Sequence, residues 1–299
     1  MSRIQDALKK AEQESLAGTA ERSVPRAPLL PAAVAEVEPE PVIGSNAGAN
    51  KPVGDLSQAS SRLPHMTSQK IDLNLSLLDE HLVSLTKPFS LASEQIKKLR
   101  TKIILSAPER LPNKTILVTS AVPREGKTTI ALNLALSLAQ GLEEYVLLVD
   151  GDFRKPEVSK YLGLEFSRGL ATYLTTDIDL SSVLVKTDLS KLSILPMGAA
   201  PAKPAELLAS ERMKNLITDL KTRYSDRYII FDTTSLLSTT EADILASQVD
   251  GIILVVRYGE SSRDVIKQAF KNLDRDKVLG VVFNGADYRT SSFYYQEQV

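Results

Sequence analysis

The sequence predicts an α/β fold, in which a parallel β-sheet is covered by helices on both faces. From about residue 70, short continuous apolar runs alternate with segments of helical periodicity. Runs such as YVLLVD, YIIFD and GIILVV are apolar at nearly every position, as strands covered on both faces require. Polar loops follow several of these runs, at the carboxyl ends of parallel strands where ligands bind.

The individual strands and helices follow from these patterns in chain order. The predicted strands are 115–119, 145–149, 191–195, 228–232, 251–256 and 278–283. The predicted helices are 90–106, 127–140, 157–175, 204–222, 240–248 and 261–273. Because strand and helix alternate along the chain, neighbouring strands of the sheet are expected to be parallel.

The N-terminal part of the chain has a different character. Residues 1–17 carry Ile4, Leu8 and Ala11 at helical spacing and predict a short amphipathic helix that forms on a partner, a membrane surface or the main domain. A terminus without function is the alternative. Residues 18–69 hold seven of the fifteen prolines and no apolar periodicity, so we expect a disordered, flexible linker.

The composition excludes several classes of protein. A net charge of −1 gives no electrostatic basis for nucleic-acid binding. The chain has no cysteine and only two histidines, His65 and His81, which excludes Cys- and His-based metal sites. No apolar run approaches the roughly 20 residues of a bilayer span, and the charged N-terminus is not a secretory signal. We therefore expect a cytoplasmic protein without a membrane span.

The most informative segment is AVPREGKTT, residues 121–129, between an apolar run and a helical pattern. A strand, a loop ending in Gly-Lys-Thr and a helix indicate a phosphate-binding loop, and so a P-loop NTPase fold. Lys127 would reach the β- and γ-phosphates, and Thr128 would hold Mg²⁺. The predicted nucleotide-binding residues of the loop are Val122, Pro123, Arg124, Glu125, Gly126, Lys127, Thr128 and Thr129. A chance Gly-Lys-Thr on an ordinary turn is the alternative.

Two further apolar runs end in aspartate. In LLVDGDFRKP, Asp150, Asp152 and Arg154 point the same way in extended chain, and the two close carboxylates favour a cation such as Mg²⁺. In YIIFDTTS, Asp232 has the layout of a Walker B aspartate and would also hold Mg²⁺. Together with Lys127, these four residues are the predicted catalytic set. A polar turn that caps the next helix is the alternative for the first motif.

The globular domain is expected to span residues 70–284, and residues 285–299 form a polar tail. Tyr288, Tyr294 and Tyr295 are three of the nine tyrosines and lie in this tail. Because periodic apolar residues do not surround them, we predict that they are phosphate acceptors and not core residues. A C-terminal strand with aromatic anchors is the alternative.

Together, these motifs resemble the bacterial tyrosine kinases of exopolysaccharide loci, and most closely the tyrosine autokinases of exosortase and PEP-CTERM loci. The family's phosphate loop is matched by AVPREGKTT, with Ala121 as the departure. Its D-x-D-x-R motif is matched fully by DGDFR. Its D-T-P-P motif is matched by Asp232 and Thr233, whereas both prolines are missing. The resemblance covers residues 90–299 and the first twelve residues of the chain.

The resemblance implies further roles. The family's oligomerisation motif, E-x-x-R-x-x-R, appears as Glu94, Lys97 and Arg100, which implies assembly of the protein with itself into a ring. Asn284 lies where related ATPases contact the adenine. The implied activity is ATP- and Mg²⁺-dependent autophosphorylation that regulates exopolysaccharide synthesis or export. The implied partner is a separate membrane-embedded chain-length protein that activates the kinase at the inner face of the plasma membrane.

Two alternative functions stay open on the sequence alone. A ParA- or MinD-like ATPase shares the expected fold, but such ATPases carry a lysine at the second position of the loop, where this chain has Val122. A nucleotide-binding regulatory module without kinase activity is favoured by the missing prolines after Asp232 and by Lys97 in place of arginine.

Overall fold

Eight β-strands form one sheet in the part of the chain that this computed structural model describes, residues 69–223 and 226–286. In chain order the strands are β1 Gln69–Ile71, β2 Thr115–Ser120, β3 Tyr145–Asp150, β4 Val185–Thr187, β5 Leu192–Leu195, β6 Arg227–Asp232, β7 Gly251–Arg257 and β8 Val278–Asn284. The helices are α1 Val83–Thr86, α2 Leu91–Arg110, α3 Lys127–Ala139, α4 Val158–Tyr161, α5 Leu170–Thr175, α6 Pro204–Leu208, α7 Glu211–Arg223, α8 Glu241–Gln248 and α9 Arg263–Lys271. Single 3₁₀ turns lie at Leu180–Ser182 and Arg275–Lys277. The predicted α/β fold is confirmed.

Across the sheet the strands lie in the order β1-β4-β5-β3-β6-β2-β7-β8. The six strands from β5 to β8 in this order run parallel to one another, as predicted. β1 and β4 pair in parallel with each other, but β4 runs antiparallel to β5. β1, at the edge of the sheet, and its neighbour β4 have three residues each, which is too short for a sequence pattern to reveal. The parallel sheet therefore carries a small antiparallel edge that the sequence does not predict.

The sheet is covered on both faces, which explains its continuous apolar strands. β2 is buried at every position, with Leu117 in one core cluster and Ile116 and Val118 in the other. Helices α2, α3 and α4 pack in the cluster of Ile116, and α5 to α9 pack in the cluster of Leu117. Since both faces exclude water, a polar residue is tolerated only at the strand ends, where the predicted site lies.

Two of the predicted helices are divided in the structure. The predicted helix 157–175 consists of α4 and α5, because Gly163 adopts φ +65° directly after α4 and ends it. The predicted helix 204–222 consists of α6 and α7, because Ser210 begins a new helix. Its Oγ accepts a hydrogen bond from the N–H of Met213 at 3.2 Å, as a capping residue does.

The predicted N-terminal helix at residues 1–17 lies outside the described residues, as do residues 18–68 of the predicted linker and residues 287–299 of the tail. β8 ends at Asn284, where the sequence places the end of the globular domain. Within the described ranges, no helix has both the length and the hydropathy needed to cross a bilayer.

Candidate functional site

The loop predicted to bind phosphate joins β2 to α3, and its backbone twice adopts a left-handed conformation. Arg124 has φ +68° and Gly126 has φ +90°. A Cβ on Gly126 would lie 2.0 Å from Nδ2 of Asn284, so only glycine fits this position. α3 begins at the next residue, Lys127, and the unpaired N–H groups of its first turn are directed at the loop. The loop therefore has the geometry of an anion site at a helix N-terminus.

Glu125 braces this loop from inside the protein, where it is 1% exposed. Its Oε2 accepts a hydrogen bond from the N–H of Val122 at 2.9 Å. Its Oε1 accepts hydrogen bonds from the N–H of Arg257 at 3.2 Å and from the hydroxyl of Ser261 at 2.6 Å. Its carbonyl oxygen accepts from Nδ2 of Asn284 at 2.9 Å. The sequence predicts Glu125 as a nucleotide ligand, whereas its carboxylate connects the loop to the end of β7.

A cleft of about 840 Å³ opens at the loop. The predicted site residues that line it are Pro123, Arg124, Gly126, Lys127, Thr128, Thr129, Asp152, Arg154 and Asn284. Four predicted residues do not line it, namely Val122, Glu125, Asp150 and Asp232. The lining residues that the sequence analysis does not assign to the site are His81, Lys155, Glu157, Tyr161, Thr234, Ser235, Ser238, Thr239, Arg257 and Gly285. The chain thus brings the loop, the β3 end and the β8 end together around one cavity.

Lys127 and Asp152 form an ion pair inside the cleft. Nζ of Lys127 lies 3.6 Å from Oδ2 of Asp152, and the two side chains are 13% and 6% exposed. The other oxygen of Asp152, Oδ1, accepts hydrogen bonds from the N–H groups of Arg154 at 3.1 Å and Lys155 at 2.8 Å. Asp152 therefore fixes the turn after β3 with one oxygen and faces the lysine with the other. At 3.6 Å the ammonium keeps donors available for another anion.

Asp150 and Asp232 end the neighbouring strands β3 and β6 at the same register position, and both are fully buried. A Cβ on Gly151 would lie 2.8 Å from the carbonyl oxygen of Asp232, so glycine permits this close approach. Burial, together with the charge of Asp232, raises the pKa of Asp150 well above its usual value. The oxygens of Asp150 accept from the N–H groups of Asp152 and Val158, each at 3.3 Å. Asp150 thus also supports the start of α4, as the capping alternative predicts.

Asp232 differs from Asp150, because neither of its carboxyl oxygens has a hydrogen-bond partner among the described residues. Burial raises the pKa of Asp232 to about 7. The charge of Lys127 opposes this rise, as does the nearby Thr128 hydroxyl, which does not have the geometry of a hydrogen bond to either carboxyl oxygen. A buried carboxyl group without a partner is unfavourable, and a bound cation removes that cost.

The polar groups around Asp232 are too few for a metal whose ligands are all protein side chains, but they suit Mg²⁺. Thr128 is 4% exposed and lies in the first turn of α3, and its hydroxyl is close enough to Asp232 to lower the pKa of that carboxyl group, so it offers a second oxygen for a cation. Nowhere in the described ranges do three Asp, Glu, His or Cys side chains form a metal-binding group. Mg²⁺ commonly takes one or two protein oxygens and completes its shell with phosphate and water.

The loop after Asp232 is anchored to β2, although it lacks the prolines of the family pattern. The hydroxyl of Thr119 donates a hydrogen bond to the carbonyl oxygen of Thr234 at 2.8 Å. The N–H of Leu236 donates a hydrogen bond to the carbonyl oxygen of Ser120 at 2.9 Å. Within the loop, the hydroxyls of Thr234 and Thr239 lie 2.6 Å apart. Hydroxyl hydrogen bonds therefore give the loop a defined shape without proline.

Arg154 contacts a residue that the sequence analysis does not identify. Its Nε and Nη2 donate to Oε1 of Glu241 at 2.9 and 2.8 Å. Glu241 lies in the first turn of α8, 87 positions along the chain, and is 0% exposed. An acidic residue in the first turn of a helix is common, because it complements the helix dipole. No sequence signal therefore separates Glu241 from an ordinary first-turn glutamate.

The residues predicted for oligomerisation lie on α2 but do not form one group. Nζ of Lys97 contacts Oε1 of Glu94 at 2.7 Å and donates to the carbonyl oxygen of Pro88 at 3.1 Å. Arg100 instead donates to the carbonyl oxygen of Ser137 in α3 at 2.8 Å. Ring assembly through this motif stays a prediction. The predicted phosphate acceptors, Tyr288, Tyr294 and Tyr295, lie outside the described residues.

Comparison with known proteins agrees with this geometry. A family profile described as an AAA domain matches residues 113–277, more than half of the chain. Tyrosine-protein kinase YwqD of Bacillus subtilis is 35% identical over 221 residues, which are 73% of this chain and 92% of that protein. Tyrosine-protein kinase ptk of Acinetobacter johnsonii is 33% identical over 196 residues, which are 65% of this chain but 26% of that protein.

A solved structure gives the same result. The kinase domain of the Escherichia coli tyrosine kinase ETK superposes with a TM-score of 0.64 at 26% identity, over 71% of this chain and 83% of that structure. The resemblance that the motifs predict is confirmed at the level of the family. None of these three relatives is named for an exosortase locus, so that closer resemblance stays a prediction.

Proposed function

The chain belongs to the bacterial tyrosine-protein kinases, and from this premise we propose that it is an ATP-dependent autokinase that phosphorylates tyrosines of its own tail. One observation carries the proposal. The cleft places a phosphate loop and the ion-paired Lys127 beside Asp232, a buried carboxyl group without a partner. A bound triphosphate would give the loop and Lys127 an anion to bind, and a divalent cation would give the carboxyl group of Asp232 its missing partner.

The nucleotide is proposed to bind with its phosphates along the loop. The N–H groups of residues 122–129 and the N-terminus of α3 attract the phosphates, and Lys127 turns from Asp152 to the β- and γ-phosphates. Asn284 lies at the opposite side of the loop from Asp152, where we place the adenine. The cavity of about 840 Å³ is within the usual size range of small-molecule sites.

Magnesium, when bound, neutralises the charge that develops on the transferred phosphoryl group. Thr128 and Asp232 are the residues proposed to hold it, with Oδ2 of Asp152 close by. Asp150 belongs to the same set, but its oxygens already accept backbone N–H groups. We therefore propose that Asp150 shapes the β3 end through these hydrogen bonds.

The phosphate acceptor is proposed to be the hydroxyl of a tail tyrosine. The pKa of a tyrosine hydroxyl is normally about 10, so the group arrives protonated and must lose its proton during transfer. Asp152 lines the cleft, whereas Asp150 is fully buried, so we assign proton acceptance to Asp152. Because phosphoryl transfer has a loose transition state, this base contributes less than charge neutralisation and positioning.

The start of the tail favours delivery of these tyrosines to the cleft. Gly285 follows β8 and lines the cleft. The fourteen residues that follow it would span roughly 45–50 Å when fully extended, which reaches the same subunit or a neighbour. We propose transfer to a neighbouring subunit of a ring, in which Glu94, Lys97 and Arg100 take part.

We also propose that the kinase works with a membrane-embedded activator and regulates exopolysaccharide synthesis or export. The matched region is a quarter of the ptk chain, so in that relative the kinase is part of a longer protein. In this chain the activator would be a separate protein, docked through residues 1–17 and the linker at the inner face of the plasma membrane. A deletion of residues 1–17 that left recruitment to membranes intact would exclude that helix.

The test is phosphate mapping by mass spectrometry after incubation with MgATP, with and without the cytoplasmic part of the activator. We expect phosphate on Tyr288, Tyr294 or Tyr295 in the wild type and in Lys98→Met, a matched lysine on the exposed side of α2. Lys127→Met is expected to lose it. Nucleotide binding without tyrosine phosphate in every sample would instead favour a regulatory module.

A further inference from the structure

Arg154 and Glu241 join the turn after β3, which lines the cleft, to the first turn of α8, which begins two residues after the lining residue Thr239. Arg154 lines the cleft with a side chain that is 57% exposed, whereas the side chain of Glu241 is 0% exposed. Both contacts of the guanidinium go to Oε1, and Oε2 has no hydrogen-bond partner within the described ranges. An exposed cation is thus tied to a buried anion.

Against the cost of burial, its own backbone N–H, the Thr239 hydroxyl and the Arg154 guanidinium hold the pKa of Glu241 below its usual value, and Arg154 is the cation among these groups. A carboxylate that is removed from water needs a cation close to it, and loss of that cation leaves an uncompensated buried charge. An exposed arginine, in turn, normally samples many rotamers in solvent. The contact to Glu241 therefore selects one orientation of the Arg154 side chain and holds it at the edge of the cleft.

The carboxylate that holds Arg154 is itself rigidly placed. α8 buries Ala242 and Leu245 in the core, directly after Glu241. The preceding loop is anchored to β2 by the N–H of Leu236. Nε and Nη2 both contact Oε1, which holds one edge of the guanidinium at Glu241 and leaves three of its five N–H donors for another acceptor.

We propose that Glu241 is a positioning residue, which holds the guanidinium of Arg154 so that its remaining donors face the terminal phosphate of a bound nucleoside triphosphate. Oδ1 of Asp152 accepts the N–H of Arg154, and Oδ2 faces Lys127. The turn therefore brings Arg154 to the same end of the cleft as the lysine. The inference rests on the proposed function, because it requires a triphosphate in this cleft.

Calorimetry of nucleotide binding tests this inference without relying on catalysis. The full-length wild type, Glu241→Gln, Arg154→Ala and the double variant are each titrated with magnesium AMP-PNP and with MgADP. We expect each single variant to lower the preference for the triphosphate by about tenfold, the size of one charge-assisted hydrogen bond. The double variant is expected to lose no more than Arg154→Ala alone, because Glu241 acts through Arg154.

The control is a second arginine–glutamate pair at the cleft. Glu260 contacts Nε of Arg257 at 2.8 Å, but its side chain is 64% exposed. Glu260→Gln is expected to leave the preference unchanged. An unchanged preference in Glu241→Gln would overturn the proposal, as would an equal further loss when Glu241→Gln is added to Arg154→Ala.

If Glu241→Gln does not fold, the triphosphate preference of Arg154→Lys tests the proposal instead. Lysine keeps the charge but lacks the fork that Glu241 orients, so the same loss of preference is expected, and an unchanged preference would contradict the proposal. Phosphorylation of the tail is measured in parallel. A wild type that forms no phosphotyrosine rejects the proposed kinase activity, whereas the binding comparison still decides the role of Glu241.

Discussion

The two sides of the cleft differ in how far their polar atoms are satisfied. On the β8 side, defined by Glu125, Arg257, Ser261 and Asn284, the carboxylate of Glu125 accepts three hydrogen bonds. On the β6 side, defined by Asp232, Thr233 and Glu241, four buried oxygens have no hydrogen-bond partner among the described residues. One side is complete without ligand, and the other is not.

This difference indicates that the two sides of the cleft have different roles. The β8 side shapes the loop, because its hydrogen bonds hold backbone groups of the loop and of β7 in place. The β6 side keeps acidic and hydroxyl oxygens buried at a cost, which native proteins accept mainly where a ligand completes the site. The comparison therefore assigns the β6 side to the charged substrate and its cation.

The largest expected effect is on the β6 side. Asp232→Asn keeps the shape of the side chain but removes the charge that would hold Mg²⁺. We expect the rate of tail phosphorylation to fall by about 10²–10³, the range found when one preorganised electrostatic contact is lost. Initial rates at saturating MgATP measure it. A loss of less than threefold would refute the assignment of the β6 side to the cation.

A smaller effect is expected from Gly126→Ala, where the loop meets the β8 side. The added Cβ would lie 2.0 Å from Nδ2 of Asn284 at a backbone with φ +90°, so either the loop or the asparagine must move. We expect nucleotide affinity to fall by about 10–100-fold, given strain of roughly 1–3 kcal/mol. Gly259→Ala is the control, since it also has positive φ but meets nothing within 4 Å.

Glu125→Gln should weaken the hydrogen bonds that connect the loop to the β8 side, with a smaller effect than Gly126→Ala. A glutamine offers one acceptor oxygen, whereas the native carboxylate accepts from the N–H groups of Val122 and Arg257 through different oxygens. One donor then faces an NH₂ group, at a cost of about 1–3 kcal/mol. We expect a lower melting temperature and a nucleotide affinity reduced by about tenfold. An unchanged affinity would show that the loop keeps its shape without the brace.

The smallest expected effect is the pH dependence of the nucleotide-free protein. Burial raises the pKa of Asp232 to about 7 from the usual 3.8, so the folded state binds a proton that the unfolded state releases. This contribution is fully present below pH 4 and is lost as the pH rises through 7. We expect the free energy of unfolding to fall by on the order of 1–3 kcal/mol between pH 5 and 8. Denaturant unfolding at several pH values should show a free energy of unfolding that depends less on pH in Asp232→Asn than in the wild type.

Much of the site could be predicted because parallel strands bring their carboxyl ends to one edge of the sheet. That rule places Asp150 and Asp232 at the same edge of the sheet as the loop that precedes Lys127, whereas their side-by-side position follows from the pairing of β3 with β6. The glycine-lysine-threonine sequence adds the helix N-terminus, since a loop of that kind occurs between a strand and a helix.

Other features depend on long-range contacts that carry no local pattern. Glu125 belongs to the loop motif, yet its carboxylate points inward because Ser261 and the N–H of Arg257 offer donors there. Glu241 becomes part of the site through Arg154, from a different segment of the chain. β4 has three residues, and its antiparallel direction follows from its pairing with β5. Such contacts are decided by the folded arrangement and not by neighbouring residues.

The most direct test of the account is a crystal structure of the protein with Mg²⁺ and a non-hydrolysable ATP analogue. We predict the triphosphate along the loop from Pro123 to Thr129, with the metal at the hydroxyl of Thr128 and at the carboxyl group of Asp232, directly or through one water. A nucleotide bound elsewhere would contradict the account. So would a nucleotide bound in this cleft while the carboxyl group of Asp232 still lacks any polar partner.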